Sequence, residues 1–282
     1  MHPPDCLTEL PDGTVMFSAN VYYPEQLKKV KGEDDLASFL GIFQNPDPSR
    51  CGWREVMVRT RDGGEIWGDA TIVQQYGSTE VNYAVDAKDP DHILAASRKQ
   101  RGLVPQENEA REAVYEKARA PAGFPYPFKG TQLLESNDGG RTFHEVPNAY
   151  AGFYSHRGTI CWTDRDVVIV SYMTDPARPQ GARASKPPAI LNIAASISLN
   201  GGQTWVDDTS SGTTHFEKSK RFMINPKYGG TAPTIEVVAN RYLTAYSTYP
   251  GGSNNTIEGF FWHLEDTSGK MLSLPLVNAL AP

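Results

Sequence analysis

Residues 136–143 read Ser-Asn-Asp-Gly-Gly-Arg-Thr-Phe, and residues 60–67 and 198–205 repeat the same pattern of Ser or Thr, Asp or Asn, two glycines and an aromatic residue. An Asp or Asn side chain can bind the backbone N–H groups that follow it, and glycine supplies the positive φ of a tight corner. Each copy follows an apolar run with the character of a strand. The sequence therefore predicts equivalent hairpin turns in a repeated unit of strands.

The composition favours an all-β chain. Its 282 residues include 25 Gly and 21 Pro, which suits many short strands and turns and disfavours a helical bundle. An all-β chain of this length can form one cooperative unit, so we expect a single domain over residues 1–282. The net charge of −6, without a basic stripe, argues against a nucleic-acid partner.

Other sequence signals indicate neither a membrane span nor a metal site. No run approaches the roughly 18 apolar residues of a spanning helix, and the first residues do not have the pattern of a signal peptide. Cys6, Cys51 and Cys161 are widely spaced and form no CxxC pair, so we expect no bound metal and no other cofactor. One disulfide with a spare thiol stays open as an alternative.

The three turns resemble the Asp-box, or BNR repeat, of sialidases and related β-propeller proteins. The resemblance rests on the polar, double-glycine and aromatic positions and covers most of the chain. It implies a β-propeller of four-stranded antiparallel blades, whose turns are structural and face away from the active site. Asp62, Asp138 and Asn200 are therefore not candidates for catalysis.

Anchored on these turns, the sequence divides into four units of four strands. The third unit is expected to take its fourth strand after Trp205, and the fourth unit to take its last strand at residues 271–276. Sialidases have six blades, so the four visible blades form either a small or open propeller or part of a six-bladed one. The units are assigned to residues 6–77, 78–155, 156–230 and 231–282.

Residues 78–82 (Ser-Thr-Glu-Val-Asn) and 95–98 (Ala-Ala-Ser-Arg) resemble a sialidase unit in which a glutamate begins an inner strand and an arginine ends the next. In that family the glutamate activates a tyrosine nucleophile, and the arginine belongs to a triad that clamps the sugar carboxylate. Glu80 and Arg98 are the candidates for these roles. A guanidinium can hold a carboxylate with two parallel hydrogen bonds, and a carboxylate can take the proton of a phenol that attacks the anomeric carbon.

The rest of the family's site is matched less closely. The segment His2-Pro3-Pro4 stands where the family has Arg-Ile-Pro, and Ala232 stands where the nucleophilic tyrosine is expected. Tyr228, a few residues upstream, is the nearest tyrosine to that position. The further candidates are Asp5 or Asp69 as proton donor, His156 as an acid or base near neutral pH, and a set of sugar-binding groups: Tyr154, Arg157, Arg183 and Tyr228.

The resemblance implies a sialidase-like glycoside hydrolase that acts on terminal, anionic sugars of glycans and is secreted or periplasmic. Two alternatives stay open. A non-catalytic propeller that binds a glycan or a protein fits the missing tyrosine and the incomplete arginine set. A propeller-type polysaccharide lyase would use Tyr154 and His156 as its reacting pair.

Overall fold

The computed structural model describes residues 7–21, 54–74, 78–99, 130–151, 156–174, 192–206, 213–214, 222–225, 232–248 and 256–265. Within these ranges every regular element is a β-strand, so the predicted all-β class is confirmed. None of the described residues belongs to a helix long and apolar enough to cross a membrane.

The strands form four main antiparallel sheets that follow one another along the chain. Sheet 1 contains β1 (Leu7–Glu9), β2 (Val15–Val21), β3 (Arg54–Thr60) and β4 (Gly68–Gln74). Sheet 2 contains β5 (Ser78–Val85), β6 (His92–Lys99), β7 (Gly130–Asn137) and β8 (His144–Ala151). Sheet 3 contains β9 (His156–Trp162), β10 (Val168–Thr174), β11 (Asn192–Ser198) and β14 (Phe222–Asn225). Between β11 and β14, the chain forms a separate hairpin of β12 (Trp205–Val206) and β13 (Thr213–Thr214). Sheet 4 contains β15 (Thr234–Val238), β16 (Arg241–Thr248) and β17 (Thr256–Trp262).

The fourth strand of sheet 3 differs from the prediction. The segment after Trp205 was expected to pair with β11, but β12 pairs with β13, and β14 takes the edge of the sheet. Trp205 is 2% exposed and packs in the core between sheets 2 and 3. This segment is therefore held to the sheet by the burial of the Trp205 side chain and not by backbone pairing with β11. The strand predicted at residues 271–276 lies outside the described residues.

Alternation along the middle strands builds the core between the sheets. Ile93 and Ala95 of β6 pack in a cluster with residues of sheet 1, whereas Leu94 and Ala96 pack in a cluster with residues of sheet 3. In β10, Val168, Val170 and Tyr172 pack in the cluster shared with sheet 2. Ile169, on the opposite face of the strand, packs in a cluster with residues of sheet 4. Successive side chains of a strand point to opposite faces, so each middle sheet is covered by apolar neighbours on both sides.

The three repeated turns share one hydrogen-bond pattern, as predicted. In the second turn, Ser136 Oγ accepts from the backbone N–H of Gly140 at 2.8 Å and donates to Asp138 Oδ1 at 2.7 Å. The same Oδ1 accepts from the backbone N–H of Thr142 at 2.9 Å. Equivalent bonds form in the turns around Asp62 and Asn200, and both glycines of each turn have positive φ.

Candidate functional site

The turns define two ends of the stacked sheets. The repeated turns follow the third strand of sheets 1, 2 and 3. The opposite end, at which the first strand of each sheet begins and the second strand ends, is called the site end below. Strands β5 and β6 place Glu80 and Arg98 there, because Thr79 pairs with Arg98 in the antiparallel register.

Glu80 and Arg98 form a largely buried ion pair. Nη1 of Arg98 donates to Oε2 of Glu80 at 2.5 Å, and the side chains of Arg98 and Glu80 are 11% and 14% exposed, respectively. Glu80 has a φ of +53° and sits at a break in the register between Thr79 and Val81. A non-glycine residue in this region of φ is strained, so the surrounding strands hold the Glu80 carboxylate in position against a local cost.

Arg98 keeps donor capacity beyond this pair. Its Nε is buried and has no hydrogen-bond partner within the part of the chain that the structure describes. A guanidinium carries five N–H donors in a fixed fork and has no acceptor. Among the described residues, the Arg98 guanidinium is therefore left with one unsatisfied donor at the site end.

Close packing brings β9 to the same place. Arg98 pairs across the sheet with Thr131, and a Cβ on Gly158 would overlap Thr131 Cγ2. Only glycine allows this approach of the two sheets. Because His156 and Arg157 immediately precede Gly158 in β9, their backbone lies beside the Glu80–Arg98 pair, while their side chains fall outside the described residues.

The position expected for the tyrosine nucleophile is part of the core. Ala232 has no exposed surface and packs in a cluster with Ile193 and Tyr246. Its carbonyl oxygen accepts hydrogen bonds from Thr159 Oγ1 at 3.0 Å and from Ser171 Oγ at 2.7 Å. These bonds fix the backbone at the start of sheet 4, and the alanine side chain leaves no reactive group there.

Sequence reasoning missed a phenol and a carboxylate that meet in sheet 4. Tyr246 and Glu258 are direct cross-strand partners in β16 and β17, and the Tyr246 hydroxyl donates to Glu258 Oε2 at 2.7 Å. Both lie toward the site end, since β16 ends and β17 begins there. Both residues fall within the fourth predicted unit, residues 231–282, and the antiparallel register of its strands was the signal that could have found the pair.

A second missed feature is a buried polar network between sheets 1 and 2. Glu55 is 1% exposed and pairs across the sheet with Gln74. Gln74 Oε1 accepts from Ser97 Oγ at 2.9 Å, and Gln74 Nε2 donates to Glu145 at 2.9 Å. Ser97 immediately precedes Arg98, so this network fixes the strand that carries the guanidinium. A lone Glu in the run that precedes the first repeated turn gave no signal of such burial.

The other predicted site residues are not all brought together. Asp69 lies near the start of β4, beside the first repeated turn, and lines a cavity of about 380 Å³ with Arg59, Arg61 and Arg141. It is therefore remote from Glu80 along the strands. Asp5, Tyr154, Arg183 and Tyr228 lie outside the described residues. Among the described side chains, no group of three or more His, Cys, Asp or Glu residues is arranged to hold a metal ion.

Comparison with known proteins shows a shared fold at low identity. No protein-family model and no curated protein matches the chain. A Hadza microbial sialidase is 14% identical with a TM-score of 0.51, and the match covers 91% of this chain and 43% of that one. The NanB sialidase from Streptococcus pneumoniae is 11% identical with a TM-score of 0.48, covering 92% and 51%. An α-L-arabinofuranosidase from Fusarium graminearum is 12% identical with a TM-score of 0.44, covering 94% and 67%.

The chain thus spans less than half the length of the Hadza microbial sialidase, 43% of it. The structural neighbours include sialidases and other glycoside hydrolases, and the likeness to the Hadza enzyme identifies the fold alone.

Proposed function

We propose that this chain is a sialidase-like glycoside hydrolase that acts on terminal, anionic sugars at the site end of its sheets. The observation that carries the proposal is the Glu80–Arg98 pair, in which a buried guanidinium is held by one nitrogen and has a second, unpaired donor nitrogen among the described residues. A buried polar group that lacks a partner in a native protein calls for an explanation, and a bound ligand is one such explanation. The likeness of the fold to a sialidase supports the same class.

The architecture included in this proposal is a β-propeller. The four sheets are its blades, the repeated turns are Asp-box turns on one face, and the site end is the opposite face. The consecutive packing of sheets 1 to 4 and the shared turn geometry support this assignment. The blades take residues 6–77, 78–155, 156–230 and 231–282 of one domain over residues 1–282.

Arg98 would bind the anionic group of the sugar, since a guanidinium matches the geometry of a carboxylate. Arg157 and Arg183 are the other proposed cations, and Tyr154 and Tyr228 are the other proposed sugar-binding groups. Glu80 would act as base or as the group that stabilises positive charge at the anomeric centre. Asp5 and His156 are the proposed groups for proton transfer.

Tyr246 is the phenol that we propose for covalent chemistry, because Ala232 occupies the position first expected for the tyrosine. Glu258 Oε2 accepts a hydrogen bond from the Tyr246 hydroxyl at 2.7 Å, so this carboxylate would be the base that activates the phenol as a nucleophile.

The test is release of a fluorogenic leaving group from a panel of glycosides led by the sialoside. We expect wild-type protein to turn over an anionic glycoside and Glu80→Gln to lower kcat/KM by about 100-fold or more. Arg98→Lys should act mainly on KM, because it keeps the charge and loses the fork. Glu265→Gln, an exposed carboxylate paired with His263, is the matched control and should leave turnover unchanged.

A non-catalytic, glycan-binding module is the second candidate, and the burial of Ala232 favours it. It predicts no turnover of any glycoside, together with binding of an anionic glycan that Arg98→Lys weakens. Turnover that disappears in Glu80→Gln, with the variant still folded by circular dichroism, would eliminate this second candidate. Turnover that Glu80→Gln leaves intact would overturn the first.

A further inference from the structure

A cavity of about 380 Å³ lies between sheets 1 and 2 at the end that carries the repeated turns, called the turn end below. Its lining comes from the hairpins between β1 and β2 and between β5 and β6, and from the repeated turns around Asp62 and Asp138. All four turns lie within the described residues. Small-molecule sites have volumes of roughly 300–1,000 Å³, so the cavity is large enough for a ligand of that kind.

Arg59 is the buried cation of this cavity. The side chain of Arg59 is 4% exposed. Its Nη1 donates to the carbonyl of Asp69 at 2.6 Å and to Thr71 Oγ1 at 3.0 Å, and its Nη2 donates to the carbonyl of Gly140. Because Gly140 belongs to the second repeated turn, these bonds join sheet 1 to sheet 2 and fix the position of the guanidinium.

On the side of sheet 1, a carboxylate lies beside two guanidinium groups without a hydrogen bond to either. Asp69 Oδ2 lies 3.7 Å from Arg59 Nη1 and 3.9 Å from Arg61 Nη2, too far for hydrogen bonds. Asp69 has a φ of +48°, so its backbone holds the carboxylate at the cavity against a local cost. Within the described ranges, the side chain of Arg61 makes no hydrogen bond. Asp69 and Arg61 therefore supply acceptors and donors that a ligand can use.

On the side of sheet 2, a second carboxylate and guanidinium lie close together but do not bond. Asp91 Oδ1 and Arg141 Nη1 lie 3.0 and 3.5 Å from the position that a Cβ on Gly139 would take. In the part of the chain that the structure describes, the two side chains form no ion pair, and the Asp91 carboxylate accepts no hydrogen bond. Arg141 uses one donor, from Nη1 to the carbonyl of Asp138 at 2.8 Å. Because glycine has no Cβ, the space between Asp91 and Arg141 stays open.

The sign of the charge alternates around the cavity, because a guanidinium lies beside each of these two carboxylates. A ligand with a single net charge would therefore meet a like charge next to each opposite one. A hydroxyl group donates one hydrogen bond and also accepts, so it can bind a carboxylate and the neighbouring guanidinium at once. Leu10, Pro11 and Pro90 add apolar surface to the lining. This combination matches a sugar ring, which has hydroxyls at its edge and C–H groups on its faces.

We propose that this cavity binds a neutral sugar residue of a glycan. One hydroxyl of the ring donates to Asp69 and accepts from Arg61, and another donates to Asp91 and accepts from Arg141. The C–H face of the ring packs against the apolar part of the lining. This binding site lies at the turn end, opposite the Glu80–Arg98 pair, so glycan binding here does not require turnover at the site end.

The test is binding of the wild-type protein to an array of immobilised glycans that end either in neutral hexoses or in sialic acid. We expect binding to glycans with a neutral terminal hexose, and calorimetric titration with the free form of the best-bound oligosaccharide gives its Kd. Asp91→Ala and Arg61→Ala should each raise this Kd by about tenfold or more, because each removes a charge-assisted hydrogen bond. Glu65→Ala is the matched control, since Glu65 is an exposed carboxylate in the first repeated turn that does not line the cavity, and it should leave the Kd unchanged.

Three results would overturn the proposal. The first is that the wild-type protein binds no neutral glycan. The second is binding that Glu80→Gln abolishes and that Asp91→Ala and Arg61→Ala leave intact, which would place the glycan at the site end. The third is binding of sialylated glycans or of inorganic phosphate that depends on Arg61 and not on Asp91, which would show a site for anions at the turn end.

Discussion

Arg98 Nη1 lies 2.5 Å from Glu80 Oε2, although their positions are not directly opposite in the pairing of β5 and β6. The register break between Thr79 and Val81 and the positive φ of Glu80 allow the two side chains to meet on the face toward sheet 3. The pair thus depends on a local irregularity in an otherwise regular ladder. Such irregularities re-aim side chains near functional sites.

Removing either member of this pair should cost stability. Glu80→Gln or Arg98→Met leaves the other charged group partly buried without its counterion, and we expect each to lower the free energy of unfolding by about 1–3 kcal/mol. The double variant should cost less than the sum of the two, because no uncompensated charge remains. Urea unfolding of the wild type, the two single variants and the double variant measures these free energies. If the cost of the double variant equals the sum of the two single costs, the pair contributes no coupling energy.

Glycines of the repeated turns should differ in their tolerance of a side chain. Gly63 and Gly140 both have positive φ, at +73° and +78°, but a Cβ on Gly63 meets nothing within 4 Å, whereas one on Gly140 lies 2.8 Å from Met57 Cε. We expect Gly63→Ala to cost about 1 kcal/mol from backbone strain, and Gly140→Ala to cost about 2–3 kcal/mol from strain plus overpacking. Equal costs in urea unfolding would contradict the steric argument.

Gly158→Ala should separate sheets 2 and 3. The new methyl group would overlap Thr131 Cγ2, so we expect a loss of about 2–3 kcal/mol. Thr131→Ser removes that methyl group and should restore part of the loss when it is combined with Gly158→Ala. The absence of any rescue in thermal or urea unfolding would locate the cost elsewhere. The rescue also serves as the control for non-specific damage to β9.

The charge on Asp138 should make part of the stability depend on acid pH. Burial raises its pKa, but hydrogen bonds from the hydroxyl and N–H of Thr142 and from Ser136 outweigh this and lower it from 3.8 to about 2. Because the pKa of Asp138 is lower in the folded state, its ionised carboxylate stabilises the protein fully above pH 3.8. This stabilisation is lost as the pH falls toward about 2. The stability difference between wild type and Asp138→Asn should therefore shrink across that range.

At neutral pH the cost of Asp138→Asn should be below about 1 kcal/mol, because an amide can make the same turn. Asn200 does so in the third turn, where its Nδ2 donates to Thr204 Oγ1 at 2.8 Å. In the second turn the direction is reversed, since Thr142 Oγ1 donates to Asp138 Oδ2 at 2.7 Å. The converse variant, Asn200→Asp, should gain a dependence on acid pH; identical pH profiles for all three proteins would contradict this.

Cys161 should react slowly with alkylating agents in the native protein. Burial raises the pKa of its thiol to about 11, so little thiolate forms near neutral pH. Relative to a small-molecule thiol at about pH 8, we expect its modification to be about 100-fold slower, since the thiolate is the reactive species. Mass spectrometry after timed alkylation measures the rate, and fast labelling without unfolding would show that the thiol is accessible.

Local sequence was enough to predict the all-β class and the three repeated turns. The turn around Asp138 needs only hydrogen bonds between near neighbours and two glycines with positive φ, so its pattern is visible in eight consecutive residues. The alternation in β6 likewise follows from the geometry of a strand. The prediction for the fourth strand of sheet 3 was wrong because Trp205 is held by contacts with another sheet, and such contacts leave no signal in the local pattern.

For the candidate site, the sequence by itself determined which residue types were available and that Glu80 and Arg98 stand at strand ends. Only the tertiary structure decided that they touch, that Ala232 is sealed in the core, and that Tyr246 meets Glu258 across two strands. The physical reason is the separation in sequence between the residues that interact. Turns and alternation arise from interactions between neighbours in the chain, whereas burial and contact at a site depend on how separate sheets pack, which no short segment specifies.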